Sequence, residues 1–337
     1  MEYPSLDKPT AGAFRFNTDR SQLEIYDGNQ WTGVLATSPE IQTGGTRGVY
    51  TTGSPIGTLE YINVSTTGNA ISFGSLTDTA YEAGACSSRT RMVMGLGYVS
   101  PTYTNRIDYI TFTSTGNSQD FADLTKLSNP CGSSSSATRG LFFNGRDHPS
   151  GTTNNIDYVT IASQGNAKEF GDAVFSGTYQ YGTASPTRGV HLGGRESPTG
   201  VNTMQYITFA TTGNAADFGD LSYTSEFPTG TCSNSVRGFY AGGSPQMRTD
   251  ILYFQIATLG NTQDFGDLTQ GRRVGPGGMA SSTRGVFGGG KTGSPVVDTV
   301  TMDFVTIATQ GDAVDFGNLT AAAQHKMAVS NGHGGLG

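Results

Sequence analysis

Six copies of one pattern run through this chain, and they constrain its fold more than any other feature. "LEYINVSTTGNAISFGSLT" starts at Leu59, "IDYITFTSTGNSQDFADLT" at Ile107 and "IDYVTIASQGNAKEFGDAV" at Ile156. "MQYITFATTGNAADFGDLS" follows from Met204, "ILYFQIATLGNTQDFGDLT" from Ile251 and "MDFVTIATQGDAVDFGNLT" from Met302. An early aromatic (Tyr61, Tyr109, Tyr158, Tyr206, Tyr253 or Phe304) stands 12 residues before a phenylalanine (Phe73, Phe121, Phe170, Phe218, Phe265 or Phe316). Successive copies are 47 to 51 residues apart, a period that marks equivalent units set side by side. Each copy reads as a hairpin. A run such as "IDYVTIA" is β-branched and aromatic and is apolar on both alternating faces, so both faces must be covered. "TGN" or "QGN" supplies the turn, and "ADFGDL" returns.

A second recurring piece precedes each hairpin: "TRGVYTTG", "TRMVMGLG", "TRGLFFNG", "TRGVHLGG", "VRGFYAGG" and "TRGVFGGG". Before most of these lies a stretch of small residues, such as "EAGACSS", "CGSSSSA", "YGTASP" or "GGMASS". Four strands per unit, in the order a, b, c, d, is the content of a propeller blade, with small residues suited to strands that converge at an axis. The pattern resembles a divergent kelch-type β-propeller over about residues 46 to 331. The double glycine that ends strand b in that family is matched by Gly193-Gly194, Gly242-Gly243 and Gly289-Gly290. The family's strand d usually carries tryptophan, whereas here the phenylalanine of "DFGDL" takes that place. The expected fold is all-β: a six-bladed β-propeller of four-stranded blades over residues 43–337, with a short N-terminal β-hairpin element over 1–42. The first blade lacks its own small-residue stretch, so residues 321 to 331 are expected to supply its strand a and close the ring, leaving no open edge.

"GVFGGGKT" (285–292) has P-loop spacing, but it is in register with the other strand b segments, and Lys291 falls where Arg146, Arg195 and Ser244 fall elsewhere. A phosphate loop needs a following helix whose first amides hold the phosphate. "GSPVVDTV" cannot begin one, so nucleotide binding is not expected.

Other chemistry finds little footing. The four histidines, His148, His191, His325 and His333, lie in different repeats or the tail. Cys86, Cys131 and Cys232 have no metal-ligand spacing and are expected to be reduced, small buried residues. No Gly-x-Ser-x-Gly elbow occurs, and the Tyr/Cys/His cluster of copper oxidases on this fold cannot be assembled. The expectation is a non-enzyme with no cofactor and no metal. With 20 basic and 27 acidic residues (net charge −7) no nucleic-acid partner is indicated. No apolar run reaches the length of a membrane span, and "MEYPSLDKPT" lacks the features of a secretion signal.

A residue present in every repeat serves the scaffold, whereas recognition is built where repeats differ. Arg47, Arg91, Arg139, Arg188, Arg237 and Arg284 recur and are expected to form one Arg–carboxylate or Arg–carbonyl clamp per blade. Asp120, Glu169, Asp217, Asp264 and Asp315 recur in strand d; Asp123, Asp172, Asp220 and Asp267 are expected to fix the next turn by local side-chain to backbone bonds. Length variation is confined to the b–c loops, whose arginine-to-aromatic span runs from 14 (Arg47 to Tyr61) to 20 residues (Arg284 to Phe304). Tyr98, Tyr103, Arg106, Arg146, His148, Arg195, Arg248 and Lys291 are the candidate binding residues of that face.

"AGAFRFNTDRSQLEIYDGNQWTGV" stands outside the repeats. It resembles a segment widespread in tailed-bacteriophage structural and tail-fibre proteins through Gly12, Arg15, Phe16, Asn17, Thr18, Glu24, Tyr26, Gly28 and Trp31. The resemblance implies a virion protein, made in the host cytoplasm, whose Arg15, Phe16, Tyr26 and Trp31 attach it to other virion structural proteins. Its propeller would then serve attachment or host-surface recognition from the tail, baseplate or fibre, with a surface glycan or protein as partner. A capsid or neck decoration that binds only phage proteins is the alternative, and a carbohydrate-active enzyme a further one.

Overall fold

The computed structural model describes residues 9–17, 22–33, 46–52, 56–81, 83–129, 132–143, 145–149, 151–196, 198–275, 277–322 and 327–336. Thr18, Cys131 and His325 lie outside these residues. The chain divides into two compact units, Met1–Gly44 and Gly45–Gly337.

In the second unit each repeat becomes a four-stranded antiparallel sheet, and six such sheets occur among the described residues. In the second sheet, positions a to d are Gly84–Ser87, Arg91–Gly95, Arg106–Thr111 and Gln119–Asp123. The third sheet uses Gly132–Ser135, Arg139–Phe143, Asn155–Thr160 and Lys168–Asp172. The fourth uses Tyr181–Ala184, Arg188–Leu192, Thr203–Thr208 and Ala216–Asp220. In the fifth they are Gly230–Ser233, Arg237–Ala241, Asp250–Gln255 and Gln263–Asp267. In the sixth they are Gly278–Ala280, Arg284–Gly288, Thr301–Thr306 and Val314–Asn318. The first sheet is assembled from both ends of the unit. Its b, c and d strands are Arg47–Thr52, Ile56–Asn63 and Ile71–Ala80, and Ala328–Ser330 pairs with Arg47–Thr52 as strand a. That strand lies inside the segment 321–331 but is only three residues long; 323–326 lie outside the described residues.

Strands a touch one another in cyclic order, and Ala328–Ser330 lies against both Gly278–Ala280 and Gly84–Ser87. The apolar side chains collect between sheets. Val49, Leu59 and Phe73 meet Met92, Met94 and Ile110 between the first and second sheets. Tyr50, Ile62 and Val64 meet Val286, Met302 and Phe316 between the first and the sixth. Four further clusters fill the intervening boundaries. Both faces of a strand such as "IDYVTIA" are buried for this reason, and the small strand a residues let neighbours approach.

The recurring residues have structural partners. In each sheet the strand c aromatic meets the strand d phenylalanine edge-on, with ring centroids 5.7 to 6.1 Å apart. The strand b arginine lies over the same aromatic at 4.6 to 5.3 Å, a cation–π contact. Its Nη1 donates to a carbonyl of the following sheet: Arg47 to Phe112, Arg91 to Ile161, Arg139 to Phe209, Arg188 to Ile256 and Arg237 to Ile307. The clamp is therefore the carbonyl kind. In the sixth sheet Arg284 keeps its place over Phe304, but its buried Nη1 has no hydrogen-bond partner among the described residues.

In three of the turns into the next sheet the link is made by the threonine that follows strand d, not by the strand d aspartates. Thr125 Oγ1 donates to Asp157 of the third sheet at 2.7 Å, Thr269 Oγ1 to Asp303 at 2.7 Å, and Thr320 N to Glu60 at 2.9 Å. These strand c carboxylates are buried yet fully engaged, as burial demands. The "TGN" turns add a further link. Their Asn or Asp side chains accept a strand d amide of the preceding sheet, at 3.0 Å from Asn214 to Asp172 N and from Asn69 to Asn318 N. The strand d glycine lies against the same turn. At Gly219 (φ 150°) and Gly317 (φ 141°) a Cβ would sit 2.5 Å from the carbonyl oxygens of Gly260 and Gly68, so no side chain fits.

Strand a hydroxyls link neighbours directly. Ser233 Oγ donates to Ala184 O (2.7 Å) and accepts from Ala184 N (3.0 Å), and Ser135 Oγ treats Ser87 the same way (2.9 and 3.0 Å). Ser330 donates to Ala280 O across the boundary between first and sixth sheets. Ser233→Ala leaves a buried amide unpaired and should cost about 1–3 kcal/mol. Thermal unfolding should show a Tm lower by several degrees; an unchanged Tm would contradict the linking role.

The first unit holds a three-stranded sheet, Phe14–Asn17, Gln22–Tyr26 and Trp31–Gly33, one strand more than the hairpin expected from its sequence. The third strand arises because Asp27 closes a second turn, accepting the amides of Asn29 (2.8 Å) and Gln30 (2.7 Å), with Gly28 at φ 100°.

Candidate functional site

The b–c segments fold as small hairpins, and several are tied to the d–a segment of the preceding sheet. Tyr98 bridges Tyr81, Arg146 pairs with Asn129, Arg195 bridges Thr178, and Lys291 bridges Arg273. Both kinds of loop therefore share one face, and the variable segments are anchored rather than loose. Gly289 (φ 57°) and Gly290 (φ 97°) adopt left-handed backbone at the end of strand b. The short strands Lys291–Thr292 and Val297–Asp298 follow, with no helix to hold a phosphate.

The structure brings three of the eight candidate residues together and separates the rest. Tyr98 and Tyr103 are cross-strand partners in one hairpin, with rings 5.0 Å apart. Tyr103 stacks on His148 of the third sheet's hairpin at 4.5 Å and 21°. Tyr81 extends the row, 5.9 Å from Tyr98 and 39% exposed. It lies in the segment of near-constant length before strand a, where loop-length variation does not mark it.

Four of the charged candidates are engaged with acids. Arg106 pairs with Asp108 at 2.8 Å, with Asp78, and with Thr77 Oγ1, locking strand c to the first sheet. Arg195 reaches Glu226 at 3.9 Å, and Lys291 reaches Asp298 at 3.7 Å. Arg248 bonds Asp250 at 3.2 Å and lies 3.9 Å over Tyr223. Arg146 is exposed and also engaged. Arg106, Arg195, Arg248 and Lys291 thus each have a carboxylate within 3.9 Å.

Sequence reasoning missed a buried ion pair. Arg272, in the segment entering the sixth sheet, is fully buried against Asp303 and donates to Thr301 O at 2.7 Å. The "GRR" within an otherwise apolar, glycine-rich segment was its only signal.

Strands a line a cavity of about 80 Å³ bounded by Cys86, Ser133, Thr183, Thr231, Ser330 and His333. A water needs roughly 10–15 Å³, so the cavity has room for several. His333 Nε2 lies 3.1 Å from Ser87 O and 3.2 Å from Ser135 Oγ, and Gly334–Leu336 form a buried 3₁₀ turn beside it. Burial holds the His333 pKa down at about 4. His191 is buried in strand b of the fourth sheet, its ring 3.4 Å from Phe143, with the pKa lowered by burial to about 3. Burial raises the thiols of Cys86 and Cys232 far above their usual range. Among the described residues no group of three or more His, Cys, Asp or Glu is placed to hold a metal ion, and no helix is long and apolar enough to cross a membrane.

In the N-terminal sheet the four attachment candidates fall on two faces. Arg15 bonds the buried Glu24 at 2.7 Å and lies 4.3 Å over Trp31, whose ring is 5.3 Å from the buried Tyr26. Phe16 is on the opposite face, across from Leu23 and beside Phe14, and these three are 61%, 41% and 64% exposed. No known family profile matches the sequence, and no curated protein matches it.

Proposed function

We propose that the protein is a bacteriophage virion component in which the six sheets are the blades of a β-propeller. The N-terminal sheet attaches it to tail, baseplate or fibre, and the b–c face contacts the host surface. The propeller reading is supported by the cyclic order of strand a contacts and by an apolar cluster at every sheet boundary, including the one between sixth and first. The virion reading is carried by the N-terminal segment. Its phage-like residues form a unit of their own, with Arg15, Glu24, Tyr26 and Trp31 engaged with one another and an apolar strip of Phe14, Phe16 and Leu23 left exposed. Exposed contiguous apolar side chains favour a protein partner.

Deleting residues 1 to 40 tests attachment. The truncated protein should unfold at the same temperature as the whole chain yet be missing from assembled particles. Normal incorporation would contradict the anchor. A density map of the particle separates host recognition from decoration, because recognition requires the b–c face to point outward.

A further inference from the structure

Resting on the reading of the b–c face as the recognition face, we infer that the row Tyr81, Tyr98, Tyr103 and His148 is a stacking platform for a neutral oligosaccharide. The four rings come from three sheets and touch in sequence at 5.9, 5.0 and 4.5 Å. The strand c and strand d aromatic pair that serves the scaffold is repeated in every sheet, with its phenylalanine buried. This row occurs once and lies at the surface, with Tyr81 and His148 exposed and Tyr98 and Tyr103 half-buried.

The chemistry of the surroundings selects the ligand class. A pyranose ring presents a face of polarised C–H groups that fits the negative face of an aromatic ring. Phenol hydroxyls and the imidazole supply donors and acceptors for sugar hydroxyls. Two nearby cations stand beside carboxylates. Arg106 is held by Asp78 and Asp108, and Lys126 lies 3.9 Å from Asp147. A sulfated or sialylated glycan would meet these carboxylates along with the cations, whereas an uncharged one forfeits nothing. Several rings in line favour an oligosaccharide over a single sugar. The rings are also held in place before binding, since Tyr98 and Tyr103 are cross-strand partners and Tyr81 N donates to Tyr98 O at 2.8 Å. Little ordering is then left to oppose binding.

The test uses the purified full-length chain on an array of neutral hexose oligosaccharides with sialylated and sulfated counterparts, followed by affinity measurement on the best neutral ligand. Neutral ligands should bind preferentially. Tyr103→Ala and Tyr98→Ala should each weaken binding by at least about tenfold, as for a truncated aromatic anchor. Tyr103→Phe should retain most of the affinity, and all variants should keep the parent unfolding temperature. Preference for acidic glycans, or neutral-glycan binding unchanged in both alanine variants, overturns the platform. If glycan binding is lost instead in an Arg195→Ala/Lys291→Ala variant, the platform fails while the recognition face stands. If no glycan binds and the free chain does not compete with particles for host cells, both fail.

Discussion

Removing residues 327–336 should cost the protein its cooperative unfolding transition. The deletion takes away strand a of the first sheet and exposes Val49, Tyr50 and Thr51, all fully buried in strand b. Met327 and Leu336 are 3% and 7% exposed, and burying side chains of this size contributes about 1.5–3 kcal/mol each. The links at the boundary go with them: Thr51 N to Met327 O, Arg47 N to Asn331 Oδ1, Ser330 to Ala280 O, and Ser87 Oγ to Ser330 O. At about 0.5–1.5 kcal/mol for each hydrogen bond, the total rivals the roughly 5–15 kcal/mol that holds a typical domain. Calorimetry should replace one sharp transition with a broad one at lower temperature. A truncated protein melting sharply at the parent temperature would show that the segment is dispensable.

Acid should destabilise the fold well above the range where carboxylates protonate. His191 and His333 are buried neutral, with pKa values of about 3 and 4 against an ordinary 6.5. Between these values and 6.5 the unfolded chain binds protons that the native chain refuses. Stability therefore falls as pH drops below 6.5, by about 1.4 kcal/mol per pH unit for each histidine. By pH 5 the two together remove about 4 kcal/mol. Denaturant unfolding at pH 7, 6 and 5 measures the slope, and His191→Gln should roughly halve it whatever its effect at pH 7. A flat profile between pH 7 and 5, or an unchanged slope in the variant, would contradict the buried neutral state.

What was legible in the chain depended on how far each signal reached along it. "IDYVTIA" announces a strand covered on both faces because the apolar pattern is local. Asp157 in the same run was opaque, because its partner Thr125 lies 32 residues earlier in another sheet. The arginine clamps were legible as a class from their recurrence, but the choice of carbonyl over carboxylate depends on the neighbouring sheet's turn. Among the site residues, Tyr98, Tyr103 and His148 stood out because loop length varies around them. Tyr81 did not, since its contribution comes only from the bridge to Tyr98. Arg106, Arg195, Arg248 and Lys291 looked available in the sequence; the acids that engage them were visible only in three dimensions.

The most direct test of the whole account is a crystal structure of the full-length chain. Six four-stranded sheets should surround one axis, with Ala328–Ser330 hydrogen-bonded to Arg47–Thr52. Any other number of sheets, or a C-terminal segment unpaired with the first sheet, would contradict the closed ring on which the shared loop face and its proposed role depend.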